Sequence, residues 1–224
     1  MKKILASLML LGLSVQAYGD PAEILTEITG ASTKAKQADT TYYNISTTPL
    51  FLDKANLSEK GEGRVLTMAA VKVLVVDDDI NLMEVEITGW QPDNVGHVIY
   101  AAKGKRIIKA LIGKANADKI EKLGSEIDEE TEQSWNRVSL KAWVKTDNFI
   151  ADATLLNNYG DELNHANCSS CHSIRTADHY LANQWPGILK SMKRFVSMDD
   201  QQYDSLQMYL QYNAKDMQAG ETTH

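Results

Sequence analysis

Cysteine is nearly absent from this chain: only Cys168 and Cys171 occur in 224 residues. Two cysteines three positions apart cannot build a disulfide framework. With one neighbouring histidine they do not complete a four-ligand structural zinc site either. Basic residues are fewer than acidic ones, 23 Lys plus Arg against 30 Asp plus Glu, for a formal net charge of −7. That balance excludes the positive footprint of a nucleic-acid binder. No apolar run reaches the roughly 18 residues that a transmembrane helix needs. Low-complexity sequence is missing as well, since 43% hydrophobic and 24% charged residues are ordinary globular usage. The length suits one large domain or two small ones.

The first residues carry a targeting pattern. Met1-Lys2-Lys3 is a short basic start, Ile4 to Val15 is an apolar run, and Val15-Gln16-Ala17 offers small residues for cleavage. This predicts a secretory signal peptide over residues 1–17. The run is too short for an uncleaved anchor, and no cysteine follows it for a lipoprotein. Removing Lys2 and Lys3 changes the charge from −7 to −9. The expected location is the bacterial periplasm, with the protein soluble after cleavage.

Hydrophobic period then divides the chain. Asp20-Pro21 opens a short helix that Gly30 is expected to end. Ala31 to Thr48 is polar and reads as an N-terminal arm or linker. From Leu50 to Ile112, short apolar or alternating runs are punctuated by Gly61, Gly63, Asp77-Asp78-Asp79, Gly89 and Gly104, the pattern of a small barrel. Ala115 to Leu123 reads as one helix and Glu126 to Glu132 as a solvated loop. Trp135 to Val144 alternates as a further strand. Asp77, Asp79 and Asn81 begin like a calcium loop, but Leu82 stands where that loop needs Gly and Thr88 where it needs Glu, so a hairpin turn is expected. From Thr154 onward the period is helical. Trp185, Ile188, Leu189, Met192 and Phe195 fall on one face, Ser197 with Asp200 resembles a capping box, and Tyr203, Leu206 and Leu210 mark a last helix. The expected fold is α+β: a small SH3-like β-barrel domain at 48–150, then an all-α monohaem cytochrome c domain at 151–217. Around them stand an arm at 18–47 and a disordered tail at 218–224.

The chemistry lies in Cys168-Ser169-Ser170-Cys171-His172, which matches the Cys-x-x-Cys-His signature of covalent haem attachment. On one helical turn the two cysteines can reach the vinyl groups on one porphyrin edge, and His172 can stand under the iron. Covalent linkage lets a small domain hold haem without a large pocket. The rivals fit less well: a thioredoxin-like dithiol should follow a strand in a βαβ unit, and zinc lacks ligands. The expectation is one covalent haem c, with Cys168 and Cys171 as thioethers and His172 as proximal iron ligand. Met192, on the apolar helix face, is the candidate distal ligand, giving the His/Met pair that raises the potential. Met198 and His179 are the alternatives. Met208 and His165 stand behind them, and a buried Met is also ordinary core.

The haem motif, Asp178 to Trp185, Met192-Lys193-Arg194-Phe195 and the tail from Asp199 to Asp216 together resemble the C-terminal monohaem region of TorC-type pentahaem cytochromes of trimethylamine N-oxide reductase systems. Thr48-Pro49-Leu50, Thr88-Gly89-Trp90-Gln91, Gly104-Lys105-Arg106-Ile107 and Leu140-Lys141-Ala142-Trp143 join the resemblance, which spans about residues 46–217. It implies an electron carrier rather than an enzyme. That family also carries a membrane anchor and four further haems, whereas this sequence has one attachment motif. A separate membrane quinol-oxidising cytochrome is therefore expected as donor. A periplasmic terminal reductase, molybdenum-dependent in such systems, is expected as acceptor. A haem-based sensor or ligand binder is the alternative, and six-coordinate low-spin iron would favour transfer. Arg175, Lys190, Lys193 and Arg194 give the acidic chain a local basic patch suited to docking.

Overall fold

The computed structural model of the chain describes residues 19–129, 131–169 and 173–218. The expected signal peptide lies outside them, as do Cys171, His172 and most of the expected tail. Helix α1 (Pro21–Ser32) starts as the sequence suggests: Asp20 Oδ1 accepts the Ala22 N–H at 2.9 Å, and Pro21 fills the first turn. The helix runs past Gly30, where a side chain would meet nothing within 4 Å.

Ten antiparallel strands follow: β1 (Thr41–Asn44), β2 (Thr48–Leu50), β3 (Gly63–Val65), β4 (Ala70–Asp77), β5 (Leu82–Pro92), β6 (Val98–Ala102), β7 (Lys105–Ile112), β8 (Glu121–Ile127), β9 (Ser134–Lys145) and β10 (Phe149–Ile150). The main path runs β10-β1-β4-β5-β6-β7-β3-β2, and β9 pairs with both β5 and β8. The longest ladder joins β5 to β9, from Leu82↔Lys145 to Pro92↔Trp135. On β5, Met83, Val85 and Ile87 are buried while Glu84 and Glu86 are half-buried, as their alternation requires. Register shifts at Val73/Val75, Ile99/Tyr100 and Lys122/Gly124 add local twist. Gly89 permits close contact with β6, because a Cβ there would lie 2.3 Å from the Tyr100 carbonyl oxygen.

Several elements differ from the sequence reading. Thr41–Asn44, read as part of a polar arm, is β1 and pairs with β4 and β10. Ala115 to Leu123 is not one helix: a 3₁₀ turn at Lys114–Lys119 leads straight into β8. Glu126 and Ile127, placed in a loop, extend that strand. Asp77 pairs with Leu82 across a hairpin turn, with Asn81 at φ +55°. Among the described residues, no group of three acidic, His or Cys side chains is arranged to hold a metal ion.

The helices are α2 (Ala153–Cys168), α3 (Trp185–Met192), α4 (Asp200–Tyr212) and α5 (Lys215–Gln218). The capping box of α4 belongs to Asp199 and Gln202, each two residues beyond the expected Ser197 and Asp200. Asp199 Oδ1 accepts the Gln202 N–H at 2.8 Å, and the Asp199 N–H donates to Gln202 Oε1 at 3.1 Å. Gly160 lets α2 and α4 pack closely, since a Cβ there would lie 2.3 Å from Tyr209 Cβ. None of the described helices is long and apolar enough to cross a membrane.

The expected pair of an SH3-like barrel and an all-α haem domain is corrected. The sheet is a curled antiparallel half-barrel, and no all-α cytochrome domain stands apart from it. One apolar cluster lies within the sheet, around Val73, Val85, Ile87, Val138 and Phe149. The second unites Ile28 of α1, Met68, Ile107 and Ile150 of the sheet region, and Leu156, Leu163 and Leu206 of the helices. Short amphipathic helices bury too little among themselves, and the face of the open sheet supplies the remaining apolar contact.

Candidate cofactor site

Helix α2 ends at Cys168, so the first residue of the attachment motif is the last residue of a 16-residue helix. Asp152 starts that helix by accepting the Thr154 N–H at 2.8 Å. Ser169 closes it, its hydroxyl donating to the His165 carbonyl at 2.7 Å. Beyond the motif, Asn164 Nδ2 donates to the Arg175 carbonyl at 3.0 Å and holds the returning chain against α2. The buried Trp185 Nε1 donates to the Ala177 carbonyl at 2.8 Å. Tyr180 meets the Trp185 ring edge to face, with centroids 5.0 Å apart.

These contacts shape a cavity of roughly 300 Å³ between α2, α3 and α4, at the small end of the range for cofactor sites. Cys168, Met192 and Met198 stand on its wall. Trp185, Ile188 and Leu189 of α3 face Leu206 and Leu210 of α4 across it. The helix face read from the sequence is therefore the cavity face, except that Phe195 is 65% exposed. Met192 is 38% exposed and stands at the rim. Met198 is half-buried and packs on the second cluster. Met208 is buried core in α4. His179 is exposed and rests its ring on Tyr180 at 4.6 Å, off the cavity wall. His165 lies 3.9 Å from Asp161 on α2 and is also off the wall. Cys171 and His172 lie outside the described residues.

The loop leading into α3 is fastened to the β6–β7 turn. Asn183 Oδ1 accepts the Arg106 N–H at 2.6 Å, and its Nδ2 donates to the Gly104 carbonyl at 2.9 Å. Asp216 accepts the Ala182 N–H at 2.8 Å and pairs with Lys105 at 2.6 Å. Gln211 Nε2 donates to the Ala182 carbonyl at 3.1 Å. Sequence reasoning missed Asn164, Asn183 and Asp216 as site supports. Asn164 had one local signal, lying one turn before Cys168 on the same helix face. Asn183 and Asp216 act across long separations that no local period reveals.

The residues present fit a flat apolar prosthetic group. A cysteine and two thioether sulfurs border a mostly hydrocarbon slot, and its described wall holds no general acid–base pair. Such a lining is of the kind that suits a redox cofactor held by sulfur. The family described as the TorC third cytochrome c domain matches residues 36–149. A cytochrome c-type protein TorY from Haemophilus influenzae is 37% identical over 73% of this chain and 44% of its own length. A cytochrome c-type protein TorC from Escherichia coli is 31% identical over 81% of this chain and 46% of its own. The chain belongs to this TorC-type family of c-type cytochromes. It spans less than half the length of these curated relatives. The matched family segment contains no cysteine, so the attachment motif lies beyond it in the sequence. No solved structure matches.

Proposed function

We propose that the chain is a periplasmic monohaem c-type cytochrome that passes single electrons to a terminal reductase of the trimethylamine N-oxide type. One observation carries the reading: Cys168, which opens the only Cys-x-x-Cys-His motif, lies on an apolar cavity wall with Met192 and Met198. Cys168 and Cys171 hold one haem c through thioethers, and His172 is the proximal ligand. Met192 is the distal ligand, with Met198 and His179 as alternatives. Haem c supplies a one-electron ferrous–ferric couple when bound. The chain's own residues exclude water from that couple: Trp185, Leu189, Leu206 and Leu210 line the slot, and a dry apolar shell favours the less charged ferrous state. Arg175, exposed on the same wall, adds a positive charge that acts in the same direction.

Residues 1–17 direct export as a cleaved signal peptide. The donor is a separate membrane quinol-oxidising cytochrome, and the acceptor is a molybdenum-dependent reductase. Export with haem maturation tests the reading. The mature mass should exceed the peptide mass by one haem, which survives acid extraction, and the iron should be six-coordinate and low-spin. A Cys168→Ala, Cys171→Ala variant should lose the covalent haem. Covalent haem retained in that variant would sink the proposal.

A further inference from the structure

A second cavity, of roughly 260 Å³, lies between the sheet and the helices. Tyr43 of β1 and Lys109 of β7 border it from the sheet, Asn157 from α2, and Tyr212 with Asn213 from the end of α4. Met68, Ala70 and Ala101 give it an apolar side. Lys109 Nζ donates to the Thr88 carbonyl at 2.7 Å. Among the described residues no carboxylate stands on the cavity wall, and Lys109 enters none of the described ion pairs. Lys109 is half-buried, and a cation drawn partly out of water without a counter-ion is costly. Burial lowers the Lys109 pKa to about 8, with no acidic neighbour to raise it.

The other polar groups are donors or can act as donors. Asn213 Nδ2 donates to Asn157 Oδ1 at 3.0 Å, which leaves Asn157 Nδ2 with donation as its remaining capacity. Burial raises the Tyr212 pKa, so its phenol keeps its proton. The start of α2 and the end of α4 both border the cavity, so their dipoles offset and Lys109 sets the sign. We propose that this cavity binds a short aliphatic carboxylate, its carboxylate on Lys109 and Asn157 and its alkyl chain against Met68, Ala70 and Ala101. The site is independent of the haem reading.

Calorimetric titration of the full-length, haem-loaded protein with butyrate at pH 7 tests this. Saturable one-to-one binding is expected, with the neutral analogue butyramide at least tenfold weaker. Lys109→Met should weaken butyrate at least tenfold while the absorption spectrum is unchanged. Ala101→Leu should do the same by filling the apolar end with every charge in place, which keeps the test decisive if the first variant folds poorly. Butyrate should also raise the Lys109 pKa, read by NMR of labelled lysine. Non-saturable butyrate binding, or wild-type affinity in both variants, overturns the site. Inorganic phosphate binding as tightly as butyrate overturns the carboxylate assignment in favour of a bare anion site.

Discussion

Asp216 links two parts of the chain that the sequence separates by 34 and 111 positions: it accepts the Ala182 N–H and the Lys105 ammonium. Burial alone would raise its pKa, but these bonds outweigh that and hold it below the ordinary 3.8. A depressed carboxyl pKa contributes stability that is present above the ordinary value and lost as pH falls through the folded value. The melting temperature should therefore drop as pH falls below about 4. Asp216→Asn should flatten that acid limb in melts between pH 3 and pH 6. Parallel wild-type and variant curves would show that the pair contributes nothing. Met192 belongs to the same scale. Met192→Ala should give high-spin or misligated iron and a lower potential, read by absorption and redox titration. An unchanged spectrum moves the ligand to Met198, which borders the same cavity, or to His179. The attachment motif was legible because its chemistry is written in five consecutive residues. Asp216 was not, because a lone acid near the end of a chain looks like any solvated charge.

Among the elements, the contact of α2 with α4 makes a sharp test. Alanine is the better helix former by about 1 kcal/mol, so Gly160→Ala in an exposed helix would stabilise. Here the new methyl would meet Tyr209 Cβ at 2.3 Å. Forcing atoms into a packed contact costs roughly 1–3 kcal/mol. Gly160→Ala should therefore lower stability to denaturant despite its propensity, and disturb the cavity that α4 helps to line. A variant more stable than wild type would contradict the packing. Strands such as β4 and β5 were readable because one face is more deeply buried than the other, and β9 was readable from its sequence alternation although Trp135 and Ser139 of its second face are buried too. Strand β8 was not: all seven of its residues are exposed, including Leu123 and Ile127. It exists because β9 offers it a hydrogen-bonding edge, a tertiary cause that leaves no apolar period. The reach of β1 into the sheet was hidden in the same way, its Tyr42 and Asn44 buried inside a polar stretch. Helix α3 was legible because four of its apolar residues line one cavity.

At the scale of the whole molecule, charge is distributed unevenly. Net acidity coexists with exposed Lys190, Lys193 and Arg194 beside the Cys168 cavity. Lys193 pairs with the 94% exposed Asp200 at 3.1 Å and lies over the Tyr203 ring at 4.6 Å, while Lys190 has no such partner among the described residues. Exposed pairs contribute under about 1 kcal/mol to folding. Charged surfaces steer encounter over a screening length of about 8 Å at physiological ionic strength. Reversing Lys190, Lys193 and Arg194 to Glu should slow electron delivery, with the spectrum intact and melting little changed. The wild-type rate should fall with added salt. Equal rates at low salt would reduce the patch to a solvated helix face.

The helices and the sheet share their second apolar cluster, with Ile28, Met68, Ile107 and Ile150 seated among residues of α2, α3 and α4. The helices that carry Cys168 therefore share their apolar core with the sheet, and cutting them from the strands would expose Ile107 and Ile150. A substitution at Ile107 on the buried face of β7 reaches the helices that line the Cys168 cavity. Sheet and helices with one shared core should unfold in a single cooperative transition, and the Cys168 cavity should be lost in that same step.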